Sequence, residues 1–173
     1  MDYISVGTER IANFAGLYGT YARDVYRFAL YLSGNTAVAQ DITSEVFLRV
    51  WMSSEPAYLS GVKPWLFVIA RNLYLQELRH IRRKQPLDSE IASAYSVEAS
   101  AEAKQEFARV CAAMAHLPEV DRSALLLRVV EGLPYEEVAG ILRISIAAAK
   151  VKVHRARLRL GAICYGHIEQ RHS

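Results

Sequence analysis

PYEEVAGILRISIAAAKVKVHRAR, residues 134–157, decides the fold class of this 173-residue chain. Pro134 suits the first turn of a helix, where its missing N–H is no loss, and Glu136 and Glu137 follow in the positively polarised start. Ala139 is small where two helices must approach closely. After Leu142 only Arg143 and Ile144 intervene before Ser145, whose side-chain oxygen can cap the next helix. On that second helix Ala149, Val153, Ala156 and Leu160 recur at helical spacing and define one buried stripe. Lys150, Val151, His154 and Arg155 are left on the opposite face. A short helix, a tight turn and a longer helix with cations along its outer face form a helix-turn-helix able to enter a major groove. Lys150 is placed for a guanine edge or a phosphate, Arg155 for a phosphate and Val151 for a thymine methyl.

The charge pattern around this unit agrees with a polyanionic partner. Net charge is only +3, but between Val138 and Ile168 there is no acid, while Arg143, Lys150, Lys152, Arg155, Arg157 and Arg159 all fall there. A second basic stretch holds Arg71, Arg79, Arg82, Arg83 and Lys84 against the single acid Glu77. Asp88, Glu90, Glu98, Glu102 and Glu106 lie between the two. Two basic clusters separated by an acidic spacer suggest two contacts on one nucleic acid.

Upstream, apolar residues at Tyr18, Tyr21, Val25, Phe28 and Leu32 predict a helix over 12–33, broken by Gly34-Asn35, with Thr36 as the N-cap of the next. That helix extends to about Ser53, with Ile42, Val46 and Val50 inward and Asp41, Ser44, Glu45 and Arg49 outward. Pro56 and Gly61 mark a loop, Pro64 opens a third helix reaching Lys84, and Pro86 stops it. Residues 85–100 are small, polar and acidic without a sustained period, which reads as a flexible linker. Helices are expected at Ala101–His116, Pro118–Glu131, Pro134–Leu142 and Ile146–Ala162. The fold class is all-α: two small helical modules, 12–84 and 101–162, joined by the linker 85–100.

Several function classes are disfavoured. The start, MDYISVGTERIANF, carries acids and no apolar run, unlike a signal peptide, and no apolar stretch is long enough to span a bilayer. A cytoplasmic protein without membrane insertion is expected. Cys111 and Cys164 are far apart and read as reduced thiols. His80, His116, His154, His167 and His172 are scattered, and there is neither a glycine-rich phosphate loop nor a nucleophile–base pair. No catalytic residue, metal or cofactor is expected.

Gly132 to Leu142 followed by Lys150 to Leu160 closely resembles the C-terminal promoter-reading module of bacterial sigma-70 factors, most of all their extracytoplasmic-function group. Asp41-Ile-Thr-Ser-Glu-Val-Phe-Leu-Arg-Val-Trp51 resembles that group's polymerase-binding helix, and Pro64 to Arg79 its promoter-melting helix. The resemblance implies a dissociable subunit of RNA polymerase, monomeric when free, with core polymerase and promoter DNA as partners and room for an anti-sigma factor. It assigns polymerase docking to Asp41, Ser44, Glu45 and Arg49. It assigns the downstream promoter element to Asn72, Gln76 and Arg79, with Asn72 at a pocket for a flipped base. The upstream element falls to Lys150, Val151, Lys152, His154, Arg155 and Arg143. Trp65 and Tyr74 are open between base stacking and core packing. Ser44 stands where the family usually has Gln, Gln76 where it has Asp or Asn, and Arg143 where it has Gly. Ala148, Ala149 and Val151 replace its usual Thr-Val and Ser. The rival readings are a stand-alone helix-turn-helix regulator and a sigma mimic that titrates an anti-sigma protein.

Overall fold

Helix α1, Tyr3–Ser33, runs until Gly34, whose φ of 67° is costly for any residue with a Cβ and whose N–H closes on Leu30 O at 2.7 Å. It opens a computed structural model that describes residues 3–53, 61–84 and 101–169. Asn35, not Thr36, caps α2 (Thr36–Met52): its Oδ1 accepts from the N–H groups of Ala37 and Val38 at 2.9 and 3.2 Å. Both residue types can cap; Asn35 wins because its backbone is extended while Thr36 is already helical. Helix α3 (Val62–Lys84) follows Gly61, at φ 93°, and carries Pro64 in its first turn. The expected loop residue Pro56 and the linker 85–100 lie outside the described residues.

The second half holds α4 (Ala101–Ala115), α5 (Glu119–Leu125), α6 (Tyr135–Leu142) and α7 (Ile146–Glu169). The helix expected over 118–131 is α-helical only to Leu125; Leu126–Val130 winds on as a π-helix, closed by the Glu131 N–H on Leu126 O at 3.0 Å. No strand occurs among the described residues, and the fold is all-α.

Inward positions follow the predicted periods. Val25, Phe28, Ala29 and Leu32 of α1 are buried against Ala39, Ile42 and Val46 of α2 and Leu66, Phe67 and Ala70 of α3. Phe28 and Phe67 meet edge-on, ring centroids 5.0 Å apart and both fully buried. Replacing either by alanine would cost about 3–5 kcal/mol. Tyr18, expected inside, is instead half-exposed: it lies on the rim with its ring edge to Phe47 at 4.8 Å.

The apolar core does not stop at the linker. Leu126, Leu127, Leu133 and Val138 belong to the same buried cluster as the α1–α3 residues, and Tyr31 packs on Phe107 at 5.5 Å. Polar contacts cross the same boundary. The Tyr74 hydroxyl accepts from Arg122 Nη2 at 2.6 Å, and Arg71 Nε and Nη2 each reach the Glu119 carboxylate at 2.9 Å. In this arrangement the two halves are packed together.

Candidate nucleic-acid interface

Pro134, extended at ψ 156°, precedes α6, and Glu136 and Glu137 occupy the first turn, where negative charge suits the helix dipole. The helix ends at Arg143, the one non-glycine residue with positive φ among the described residues (φ 55°, ψ 48°). Arg143 N–H bonds Gly140 O at 3.3 Å and Ile144 N–H bonds Ala139 O at 3.1 Å, the paired closure that a left-handed residue permits. The half-buried Ile144 packs on the core below the turn. Ser145 then caps α7, its Oγ accepting from Ala148 N–H at 3.1 Å.

On α7 the stripe Ala149, Val153 and Ala156 is fully buried, with Leu160 partly so. Lys150, Val151, His154 and Arg155 are exposed on the other side, and Arg143 is exposed beside them at the turn. Lys150 is not loose: its ammonium lies 5.7 Å from the centre of the Tyr135 ring, which also receives the Arg128 guanidinium at 5.0 Å. Lys152 stands apart from the expected group. Its Nζ is 3.0 Å from Oδ1 of Asp121, a carboxylate 2% exposed, and its own side chain is only 31% exposed. A buried carboxylate needs a counter-charge, and Lys152 supplies it.

Helix α3 presents a second polar face. Asn72, Gln76 and Arg79 are all exposed and share one side of the helix, with Arg79 Nε turned back to Leu75 O at 3.2 Å. Arg71 points the other way, into the Glu119 pair. Tyr74 is 4% exposed with its hydroxyl engaged by Arg122, so it is a core residue, and Trp65 is half-buried against the core.

On α2, Asp41, Ser44 and Arg49 are exposed and Glu45 is half-exposed, bonded to Arg49 Nε at 2.8 Å. Leu48, Trp51 and Met52 join this surface as exposed apolar residues, which the sequence reading did not single out. Their signal was there: Leu48 and Met52 fall off the Ile42, Val46 and Val50 stripe by helical phase.

One polar cluster was not foreseen. Glu131, just after the π segment, has a fully buried carboxylate that accepts from Arg27 Nε and Nη2 at 3.0 and 2.8 Å and pairs with Lys63 at 3.4 Å; Asp24 joins both cations at 3.0 and 2.9 Å. Burial pushes the Glu131 carboxyl above its ordinary value despite Arg27 and Lys63. Burial also pushes the Cys111 thiol up to about 11, which keeps it protonated and unreactive at neutral pH. Among the described residues no group of His, Cys, Asp and Glu could hold a metal, and no helix is long and apolar enough to cross a membrane.

Both halves of the chain match known proteins. Residues 17–84 match sigma-70 region 2 and residues 108–160 match sigma-70 region 4. The chain is 35% identical over 150 residues to the extracytoplasmic-function (ECF) RNA polymerase sigma factor SigM of Bacillus subtilis, covering 85% of this chain and 92% of SigM. It is 35% identical over 142 residues to the ECF RNA polymerase sigma factor EcfG of Rhodopseudomonas palustris, covering 80% of this chain and 77% of EcfG. The sigma factor RpoE of Bartonella quintana, solved with the anti-sigma factor NepR, shares the fold at a TM-score of 0.74 and 24% identity, over 88% of this chain and 97% of RpoE.

Proposed function

The chain belongs to the ECF RNA polymerase sigma factors of the sigma-70 family, and from that premise we propose how its two halves divide the work. As a sigma factor it binds core RNA polymerase and directs promoter-specific initiation of transcription; it is a regulator of a reaction that core polymerase catalyses, acting in the cytoplasm where that polymerase and the promoters are. Residues 12–84 form the module that docks on polymerase and captures the downstream element, 85–100 the linker, and 101–162 the module that reads the upstream element.

The observation that carries this reading is the pair of separate outward polar faces on one small chain. Asn72, Gln76 and Arg79 line one of them; Lys150, Val151, His154, Arg155 and Arg143 line the other. Asp41, Ser44, Glu45 and Arg49, with the exposed Leu48, offer the polymerase a third surface on α2. Each DNA face has few free cations, so either alone binds weakly and loses affinity steeply with salt. Packing of α3 and α5 across the Arg71–Glu119 pair ties the two modules together, whereas the two promoter elements are well separated along a duplex. Core polymerase gripping each module separately supplies the span and the effective concentration. An anti-sigma protein that covers either grip would silence the factor, and the free factor is monomeric.

A mobility-shift titration at physiological salt, with and without core polymerase, tests this. The lone protein should bind promoter DNA poorly, and core should confer promoter-specific binding. Tight sequence-specific binding without core would instead make the chain a stand-alone helix-turn-helix regulator. A chain that binds an anti-sigma protein but gains no promoter specificity with core would be a titrating mimic.

A further inference from the structure

The cations of α7 sit on two flanks that the sequence treats alike and the structure does not. By the helical period, Val151, His154 and Leu158 mark the middle of the outward face, opposite buried Ala149, Val153 and Ala156. Lys150 and Arg157 lie on one flank, Lys152 and Arg159 on the other, and exposed Arg155 between the middle and the second flank. The second flank is claimed by one acid. Asp121, near the start of α5 and 2% exposed, holds Lys152 Nζ at 3.0 Å from Oδ1 and Arg159 Nη1 at 3.6 Å from Oδ2. On the first flank no carboxylate lies within ion-pair distance of Lys150 or Arg157 among the described residues.

We propose that Asp121 is a positioning residue for DNA reading: it withholds Lys152 and Arg159 from the phosphates, so that of the two flanks of α7 only the one carrying Lys150 and Arg157 engages the duplex backbone, beside Arg155 of the outward face. This rests on the reading of α7 as the upstream-element helix. Two physical consequences of the geometry support it. Drawing Lys152 away to a phosphate would strand a buried carboxylate without its main counter-charge, and Oδ1 has no hydrogen bond to fall back on. Lys152 and Arg159 are also two turns apart on one side of α7, so a single fixed anion on α5 sets the roll of the recognition helix about its own axis. With Lys152 and Arg159 tied back, Lys150 and Arg157 remain on one side of the outward face and Arg155 alone toward the other, an uneven charge distribution that favours one strand's phosphates and with them one docking angle.

The test is the salt dependence of binding by the full-length protein to a short duplex of random sequence. Lys150→Gln should flatten the slope of log K against log[salt] by about 0.9, the loss of one phosphate contact. Lys152→Gln, Arg159→Gln and the double variant should leave the slope unchanged. Asp121→Asn should steepen it by about 0.9 for each cation released, and raise random-duplex affinity so that discrimination in favour of a promoter duplex falls. Flattening by Lys152→Gln or Arg159→Gln comparable to that of Lys150→Gln would overturn the proposal, as would a folded Asp121→Asn protein with the wild-type slope. If Asp121→Asn does not fold, the glutamine series alone decides. Wild-type protein with no salt-dependent duplex binding at all would remove the DNA-reading role of α7, and this proposal with it, a pattern distinct from either of the others.

Discussion

Arg71 and Glu119, 48 residues apart, meet in a two-pronged pair with both N···O distances at 2.9 Å. One residue earlier than the exposed Asn72, the chain is thus tied to the first residue of α5, and Ser123 Oγ holds the same Glu119 oxygen at 2.7 Å. The pair is largely shielded from water, and a charged hydrogen bond of this kind contributes about 1.5–3 kcal/mol. Arg71→Glu should set two carboxylates face to face and loosen the packing of the halves, enlarging the radius of gyration measured by small-angle scattering. Adding Glu119→Arg in the same chain should restore both size and stability. A single variant as compact as the wild type would show that the apolar core alone holds the halves together.

Arg143 spends backbone energy at the turn. A residue with a Cβ in the left-handed region costs on the order of 1 kcal/mol relative to glycine. Arg143→Gly should therefore raise the melting temperature by roughly 2–4 °C. The guanidinium is exposed beside the outward face of α7, so the same variant should bind duplex DNA more weakly. A lower melting temperature would mean that the side chain stabilises the turn by more than its backbone costs.

Asn72→Ala should spare polymerase binding and impair promoter opening, because its carboxamide is exposed on α3, outside the α2 docking surface, and can serve an unpaired base. Permanganate reactivity on duplex and pre-melted promoters separates the steps: the pre-melted template should rescue the variant only in part. Tyr74→Phe is the contrasting change. It removes the hydroxyl that Arg122 bonds at 2.6 Å, so it should lower stability and leave the permanganate pattern intact. Full opening of duplex DNA by Asn72→Ala would reduce Asn72 to a surface amide.

Glu131 makes stability depend on pH in a direction opposite to that of a well-solvated ion pair. Burial raises its folded-state pKa above the unfolded value in spite of Arg27 and Lys63, so folding takes up a proton. Its contribution is fully present below the unfolded value, about 4.3, and is lost as pH rises through the raised folded value. Glu131→Gln, locked in the neutral form, escapes that loss. Urea unfolding across this range should show the variant gaining on the wild type as pH increases toward neutrality. A difference that does not move with pH would show that the two cations fully offset the burial of the charge.

Much of the fold was legible because its signals are local. Pro134, Ser145 and the Ala149–Val153–Ala156 stripe lie within one window, and period and capping suffice to place both helices and the turn. The left-handed Arg143 was legible only through the resemblance, since nothing in Leu142-Arg143-Ile144 by itself demands a positive φ. What the sequence could not carry was pairing at a distance. Asp121 reads as an ordinary acid in a first helical turn, yet its partner Lys152 is another 31 residues along and was counted among the DNA cations. Arg71 likewise belonged to a basic cluster by composition and to an ion pair by geometry. The π segment left no mark either, because Leu126–Val130 is a near-continuous apolar run without a glycine or proline to signal the change of winding.

That segment works as a phase adjuster. A π-helical turn accommodates more residues than an α-helical one, so whatever follows is rotated relative to a regular continuation of α5. Here the rotation delivers the Glu131 carboxylate to Arg27 and Lys63 and sets the azimuth of α6 and α7 behind Gly132. Winding the same five residues as regular α instead, with the one extra residue of the π turn no longer absorbed, would turn everything downstream by about 100°. Such a rewinding takes away no DNA-facing side chain, yet it would aim all of them elsewhere. The chain's reading head is therefore indexed by the winding of a single turn, which is as much a specification as the identity of any residue on the groove-facing surface.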